Sequence, residues 1–149
     1  MAVIGYTTGV FDLFHIGHLN ILRKAKEQCD YLVVGVTTDE LLLNYKFKKS
    51  VIPFNERLEI IKNIRFVDKA VPQDTMDKIS AQKKYNFSKM FVGDDWKNTD
   101  KWDGFEKDFR RLGVKIIYFP YTKGTSSTLI NEILLNERKR LVTEIKNES

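Results

Sequence analysis

Short apolar runs that alternate with segments of helical periodicity constrain this chain more than any other feature of it. Residues 3–6 (VIGY), 31–36 (YLVVGV), 90–92 (MFV) and 114–119 (VKIIYF) are rich in β-branched and aromatic side chains. Such runs are too short for buried helices and read as strands covered on both faces. Residues 67–71 (VDKAV) offer a fifth, shorter strand. Between the first two runs Leu19, Leu22, Ala25 and Cys29 recur at helical spacing. Leu58, Ile61 and Ile64 do the same on a helix that Asn55 can cap, and another helix is expected near 76–85. Phe105, Phe109 and Leu112 line up before Gly113, a helix stop.

Strands that alternate with helices make a parallel sheet, because each parallel strand needs a crossover and that crossover is right-handed. The expected fold is α/β: a single Rossmann-like domain over residues 1–149, with five parallel strands in the order 3-2-1-4-5 and helices on both faces. In such a sheet the ligand crevice opens at the carboxyl ends of the strands where the order reverses, here between the first and the fourth. The loop after the first strand (7–18) and the turn after the fourth (93–96) meet at that point.

Size and composition fit one domain. At 149 residues the chain can bury roughly 70% of its unfolded surface without disulfides, and its one cysteine, Cys29, builds no disulfide framework. No apolar run approaches 18 residues and no leader precedes the first strand, so a cytoplasmic protein without a membrane partner is expected. The net charge of +5 suits an anionic ligand; the basic residues are dispersed and show no nucleic-acid-binding pattern, so no nucleic-acid partner is expected. The last helix starts at Ser126 or Ser127, carries Leu129, Ile130, Ile133 and Leu134, then Leu141 and Ile145. It either packs on a partner subunit or ends as a solvated helix.

The chemistry concentrates in residues 8–18 (TGVFDLFHIGH), which hold both histidines of the chain, His15 and His18, around Gly17. A glycine lets the backbone approach a ligand, the helix that follows offers free amides to an anion, and the imidazoles add donors. Gly124 followed by Ser126, Ser127 and Thr128 at another helix start forms a second anion cradle. Lys46, Lys48 and Lys49 sit between a short helix and Pro53, in a loop able to close over phosphates. Arg57 begins a helix, where the dipole disfavours a cation, which hints at an anionic partner, although Glu56 offers a local explanation. Asp94, Asp95 and Trp96 supply carboxylates and an aromatic wall, or a plain surface turn. Asp12 reads as a structural residue that orders the histidine loop by hydrogen bonds.

The HxGH arrangement of His15, Gly17 and His18 resembles the signature of the nucleotidylyltransferase superfamily. Thr38-Asp39-Glu40, Lys46-Phe47-Lys48-Lys49, Ile64-Arg65-Phe66-Val67-Asp68, Gly93-Asp94-Asp95-Trp96 and Gly124-Thr125-Ser126-Ser127-Thr128 extend the similarity toward its cytidylyltransferase branch. The resemblance implies transfer of CMP from CTP to a phosphate monoester, glycerol 3-phosphate first among acceptors, giving a CDP-alcohol and pyrophosphate. Another polyol or amino-alcohol phosphate as acceptor, or adenylyl transfer on the same scaffold, are the alternatives. It implies catalytic roles for His15, His18 and Lys46. Thr8, Gly9, Phe11, Gly17, Asp94, Trp96, Thr122, Ser126, Ser127 and Thr128 would contact the nucleotide. Lys48, Arg57 and Arg65 would hold the acceptor or its phosphate. Mg²⁺ would arrive with CTP, since no cluster has dedicated metal-ligand spacing, and the assembly would be a homodimer. Two departures stand out: Tyr121 replaces an arginine of the family, and the segment after Trp96, which includes Trp102, is longer.

Overall fold

A computed structural model describes residues 2–93, 100–120 and 126–148. Its elements run β1 (Ile4–Gly9), α1 (Ile16–Glu27), β2 (Tyr31–Thr37), α2 (Asp39–Lys46), α3 (Phe54–Lys62), β3 (Lys69–Gln73), α4 (Lys78–Tyr85), β4 (Lys89–Gly93), α5 (Asp100–Arg111), β5 (Lys115–Phe119) and α6 (Ser127–Glu148). All strand pairs are parallel, in the order β3-β2-β1-β4-β5. The expected order and the reversal between β1 and β4 are therefore both present.

The period of two along β2 divides the core into two layers. Leu32, Val34 and Val36 point to one face, where they meet Leu22 and Ala25 of α1, Ile61 of α3, Phe91 and Phe119. Val33 points to the other, with Tyr6, Phe87, Met90 and Val114, and with Trp102 and Phe109 of α5. Gly5 marks the tightest place between β1 and its neighbours: a Cβ there would lie 2.6 Å from the Phe91 ring and 2.8 Å from Cys29 Sγ. Phe91 is rigid core, so no larger residue fits.

Three boundaries differ from expectation, each for a non-local reason. β1 continues through Thr7, Thr8 and Gly9, which look like loop by composition. They stay in the sheet because they pair with Val34, Gly35 and Val36, while Thr7 Oγ1 donates to the Phe91 carbonyl at 3.0 Å. β3 lies two residues later than 67–71 and contains Pro72, which an edge strand tolerates because its outer N–H side needs no partner. Asn55 does not cap α3. That helix starts at Phe54 behind Pro53, and its first amide donates to Asp39 Oδ2 from the start of α2, at 3.0 Å.

Candidate active site

A cavity of about 580 Å³ opens at the carboxyl ends of β1 and β4. Thr8, Gly9, Phe11, His15, Gly17, His18, Lys46, Lys48, Ser126, Ser127 and Thr128, all expected at the site, line it together. Lys46 is the last residue of α2 rather than part of the loop, and Lys48 follows two residues on. Among the described residues neither lysine is paired with a carboxylate, so the cavity keeps their positive charge. Asp94, Asp95, Trp96, Tyr121, Thr122 and Lys123 lie outside the described residues.

The histidines are held by a reciprocal cap on α1. The Gly17 amide donates to His15 Nδ1 at 3.0 Å, and the His15 amide donates to His18 Nδ1 at 3.2 Å. Two imidazoles thus do what a serine and a glutamate do in an ordinary capping box. Because each Nδ1 accepts an amide hydrogen, each neutral ring carries its proton on Nε2, and a proton on Nδ1 would face another hydrogen. The two rings lie with centroids 3.9 Å apart, tilted by 31°, and Phe11 and Phe14 flank His18 at 5.5 and 5.4 Å.

Electrostatics point the same way. Burial lowers His15 below its ordinary value. Burial first, and the neighbouring His15 second, pull His18 down to about 4 against the opposing pull of Asp12. At neutral pH the pair offers two neutral Nε2–H donors.

The loop before α1 carries backbone strain. Phe11 and Leu13 adopt left-handed φ angles of 54° and 50°, a region costly for side chains of this kind and often found at functional loops. Gly9 makes room for it, since a Cβ there would sit 3.0 Å from the Phe11 ring. Asp12 is buried and, as read from the sequence, structural. Its two oxygens accept from the Val51 and Ile52 amides at 2.8 and 2.9 Å, and its own carbonyl accepts from Ser127 Oγ. One carboxylate thereby ties the histidine loop to the segment that follows the lysines.

Arg57 is the clearest correction. It does not line the cavity and makes no phosphate site: it is completely buried, with Nε donating to the Ile52 carbonyl, Nη1 to the Val10 and Thr37 carbonyls, and Nη2 to Asp39 Oδ1. Its place at a helix start is explained by these four acceptors. Burial alone would raise the Asp39 carboxyl, but hydrogen bonds from the Phe54 amide, Arg57 and Ser50 outweigh it and hold the group below its usual range. Arg65 is exposed just beyond α3 and does not line the cavity either.

Sequence reasoning missed Lys78. It opens α4, is only 4% exposed, lines the cavity, and donates from Nζ to Thr8 Oγ1 at 3.1 Å. The signal was available, since a cation at the first position of a helix is as anomalous here as at Arg57. Met76, Trp102 and Phe105 add an apolar wall.

A crevice at the switch point of a parallel sheet, holding capped histidines and a row of lysines, defines a nucleotide-binding transferase, and the chain belongs to the cytidylyltransferase-like family, whose model matches residues 6–133. It is an enzyme of the nucleotidyltransferase class. Among its relatives, glycerol-3-phosphate cytidylyltransferase from Bacillus spizizenii is 39% identical over 127 residues, covering 85% of this chain and 92% of that protein. Ethanolamine-phosphate cytidylyltransferase from Arabidopsis thaliana is 32% identical over 97% of this chain and 35% of that one. Among solved structures, a lipopolysaccharide core biosynthesis protein from Thermoplasma volcanium superposes with a TM-score of 0.69 at 26% identity, covering 84% of this chain and all of that one.

Proposed function

We propose that the enzyme transfers CMP from CTP to glycerol 3-phosphate, giving CDP-glycerol and pyrophosphate. An oxygen of the acceptor phosphate attacks the α-phosphorus, and the bond from that phosphorus to the oxygen bridging to the β-phosphate breaks. The acceptor is already an anion near neutral pH, because a phosphate monoester loses its second proton around pH 6. No general base is needed, and the task is to align repelling anions and to stabilise charge moving onto the leaving oxygen.

The observation that carries this reading is the reciprocal histidine cap, which directs both proton-bearing Nε2 atoms away from the helix backbone within a cavity lined by cations. Neutral donors held by the backbone contact the α-phosphate and the leaving pyrophosphate, where bonds that strengthen in the transition state accelerate the reaction. Lys46, Lys48 and the buried Lys78 balance the charge of the two substrates. The hydroxyls of Ser126, Ser127 and Thr128 contact the nucleotide. Mg²⁺ enters as the CTP complex, held by triphosphate oxygens and water; among the described residues no group of three or more His, Cys, Asp or Glu is placed to ligate it. The acceptor is chosen on the strength of the Bacillus relative, and family resemblance supports a cytoplasmic homodimer.

The test is pyrophosphate release with each nucleoside triphosphate against glycerol 3-phosphate, other polyol phosphates and phosphoethanolamine. The highest kcat/KM is expected for CTP with glycerol 3-phosphate. A preference for ATP, or for an amino-alcohol phosphate, would replace this assignment with one of its two alternatives.

A further inference from the structure

The side of the cavity nearest α4 holds a polar group that the proposed reaction leaves unused. Gln73 ends β3, is only 6% exposed, and lines the cavity. Its amide is held at both ends. The hydroxyl of Thr37, its partner in register on β2, donates to Gln73 Oε1 at 2.8 Å, and Gln73 Nε2 faces the Met76 sulfur at 3.8 Å. A thioether accepts hydrogen bonds and cannot donate them, so the nitrogen is the atom that must face it. Both contacts therefore select one orientation of the amide. The oxygen is engaged by a good donor, whereas one hydrogen of the nitrogen meets only a weak acceptor and the other has none among the described residues. A buried N–H without a good acceptor is costly, and a ligand oxygen in the cavity removes that cost.

The sheet sets this amide beside Lys78 and across from the histidines. With a period of two along β3, Gln73 shares the face of Val71, which packs with α4 and α5, whereas α1 and its histidines belong to the opposite face. A Cβ on Gly35 would lie 3.0 Å from the Thr8 methyl and 3.5 Å from Gln73 Cβ. The absence of a side chain there brings Thr8, which accepts from Lys78 Nζ at 3.1 Å, and Gln73 into one corner. In-line transfer puts the attacking oxygen and the leaving group on opposite sides of the α-phosphorus. With pyrophosphate at the histidines, the acceptor enters from the Gln73 side.

Donor chemistry decides what this corner reads. The Gln73 amide nitrogen and the Lys78 ammonium both donate and neither accepts. A ligand ammonium, which also only donates, finds no acceptor on them, while a ligand hydroxyl can take the Gln73 N–H on its oxygen. Asp12 is the one carboxylate among the described residues that line the cavity, and both of its oxygens are taken by the Val51 and Ile52 amides. A site built to hydrogen-bond a hydroxyl rejects the analogue that lacks it, because its own buried group is then left unpaired.

We propose that Gln73, oriented by Thr37, donates through Nε2 to a hydroxyl of the acceptor's alcohol and so selects polyol phosphates over amino-alcohol phosphates. The inference rests on the phosphate-monoester acceptor proposed above and adds the residue that reads its alcohol. The experiment compares the wild type with Gln73→Leu, by kcat/KM for pyrophosphate release with glycerol 3-phosphate, phosphoethanolamine and n-propyl phosphate, and uses circular dichroism as the folding control. n-Propyl phosphate carries the same nucleophile without a hydroxyl, and is followed as a substrate or, where turnover is slow, as a competitive inhibitor. The variant should lose about tenfold with glycerol 3-phosphate, while its constants for n-propyl phosphate and its KM for the nucleotide stay at wild-type values. An equal loss with both phosphates, or no loss with either, overturns the role of Gln73 and leaves the proposed function standing. Should the wild type prefer ATP, the nucleotide assignment falls and the same comparison, run with ATP, still decides the role of Gln73. A wild type that favours phosphoethanolamine over glycerol 3-phosphate, or that transfers to no acceptor, overturns both. If Gln73→Leu fails to fold, Gln73→Glu decides, since it keeps an oxygen for Thr37 and replaces the donor with an acceptor. The ratio of kcat/KM for glycerol 3-phosphate to that for phosphoethanolamine should then fall at least about tenfold, and an unchanged ratio refutes the inference.

Discussion

Arg57 and Asp39 are joined at 2.6 Å between a guanidinium with no exposure and a carboxylate whose side chain is 43% exposed. The pair fastens three segments that meet nowhere else in sequence: the histidine loop through Val10, the end of β2 through Thr37, and the segment after the lysines through Ile52. Breaking a buried pair costs about 3–5 kcal/mol, and solvent access at Asp39 reduces its share. Arg57→Met should therefore lose about 3 kcal/mol in urea unfolding, since three carbonyls also lose their donor. A loss below about 1 kcal/mol would contradict the bridging role. Because the Asp39 carboxyl is depressed in the folded state, its contribution is complete above the ordinary value of 3.8 and disappears as the pH falls through the folded value.

His15→Ala and His18→Ala should each lower kcat by about a hundredfold or more, as for lost transition-state donors. Steady-state kinetics with near-normal turnover in both variants would remove the histidines from the mechanism.

His18 gives a separate readout. Its imidazole should titrate near pH 4 in the ligand-free enzyme, followed by NMR, instead of near 6.5. Between those values the unfolded chain binds a proton that the folded chain refuses, so this contribution to stability falls as the pH drops from 6.5 to about 4. Titration at 6.5 or higher would mean that the cap does not fix the neutral tautomer.

Lys78→Met keeps the length of the buried stem and removes the charge. We expect the KM for at least one of the two phosphate substrates to rise about tenfold, in line with a lost charge-assisted hydrogen bond, while thermal unfolding shows a folded protein. Unchanged constants for both substrates would make Lys78 a packing residue that happens to touch Thr8.

Removal of divalent ions with excess chelator should abolish pyrophosphate release, and added Mg²⁺ should restore it. Full turnover in chelator would exclude a metal–nucleotide complex as the substrate.

The strand order and the crevice were legible because β-branched runs and helical spacing are local signals, and topology follows from them by the handedness of crossovers. The histidine loop was legible because both histidines of the chain sit there. What escaped was set by distant partners. Asp39, not the neighbouring Asn55, caps α3 from 15 residues upstream, and the charge of Arg57 is satisfied by carbonyls from three other segments. The same helix-start anomaly therefore misled at Arg57 and went unread at Lys78, because dipole arguments say that a cation needs a partner without saying which.

The histidine cap leaves this loop no spare parts. In most enzymes a side chain that contacts substrate can be loosened without disturbing the backbone beneath it. Here the ring nitrogen that anchors the first turn of α1 and the nitrogen left to carry the proton belong to one rigid five-membered ring, so the aim of the donor is inherited from helix formation. Any motion that swings an imidazole out of this position must also release an amide at the helix start. Slow amide exchange at Gly17 and at His15 thus becomes a direct measure of how firmly the site is aimed.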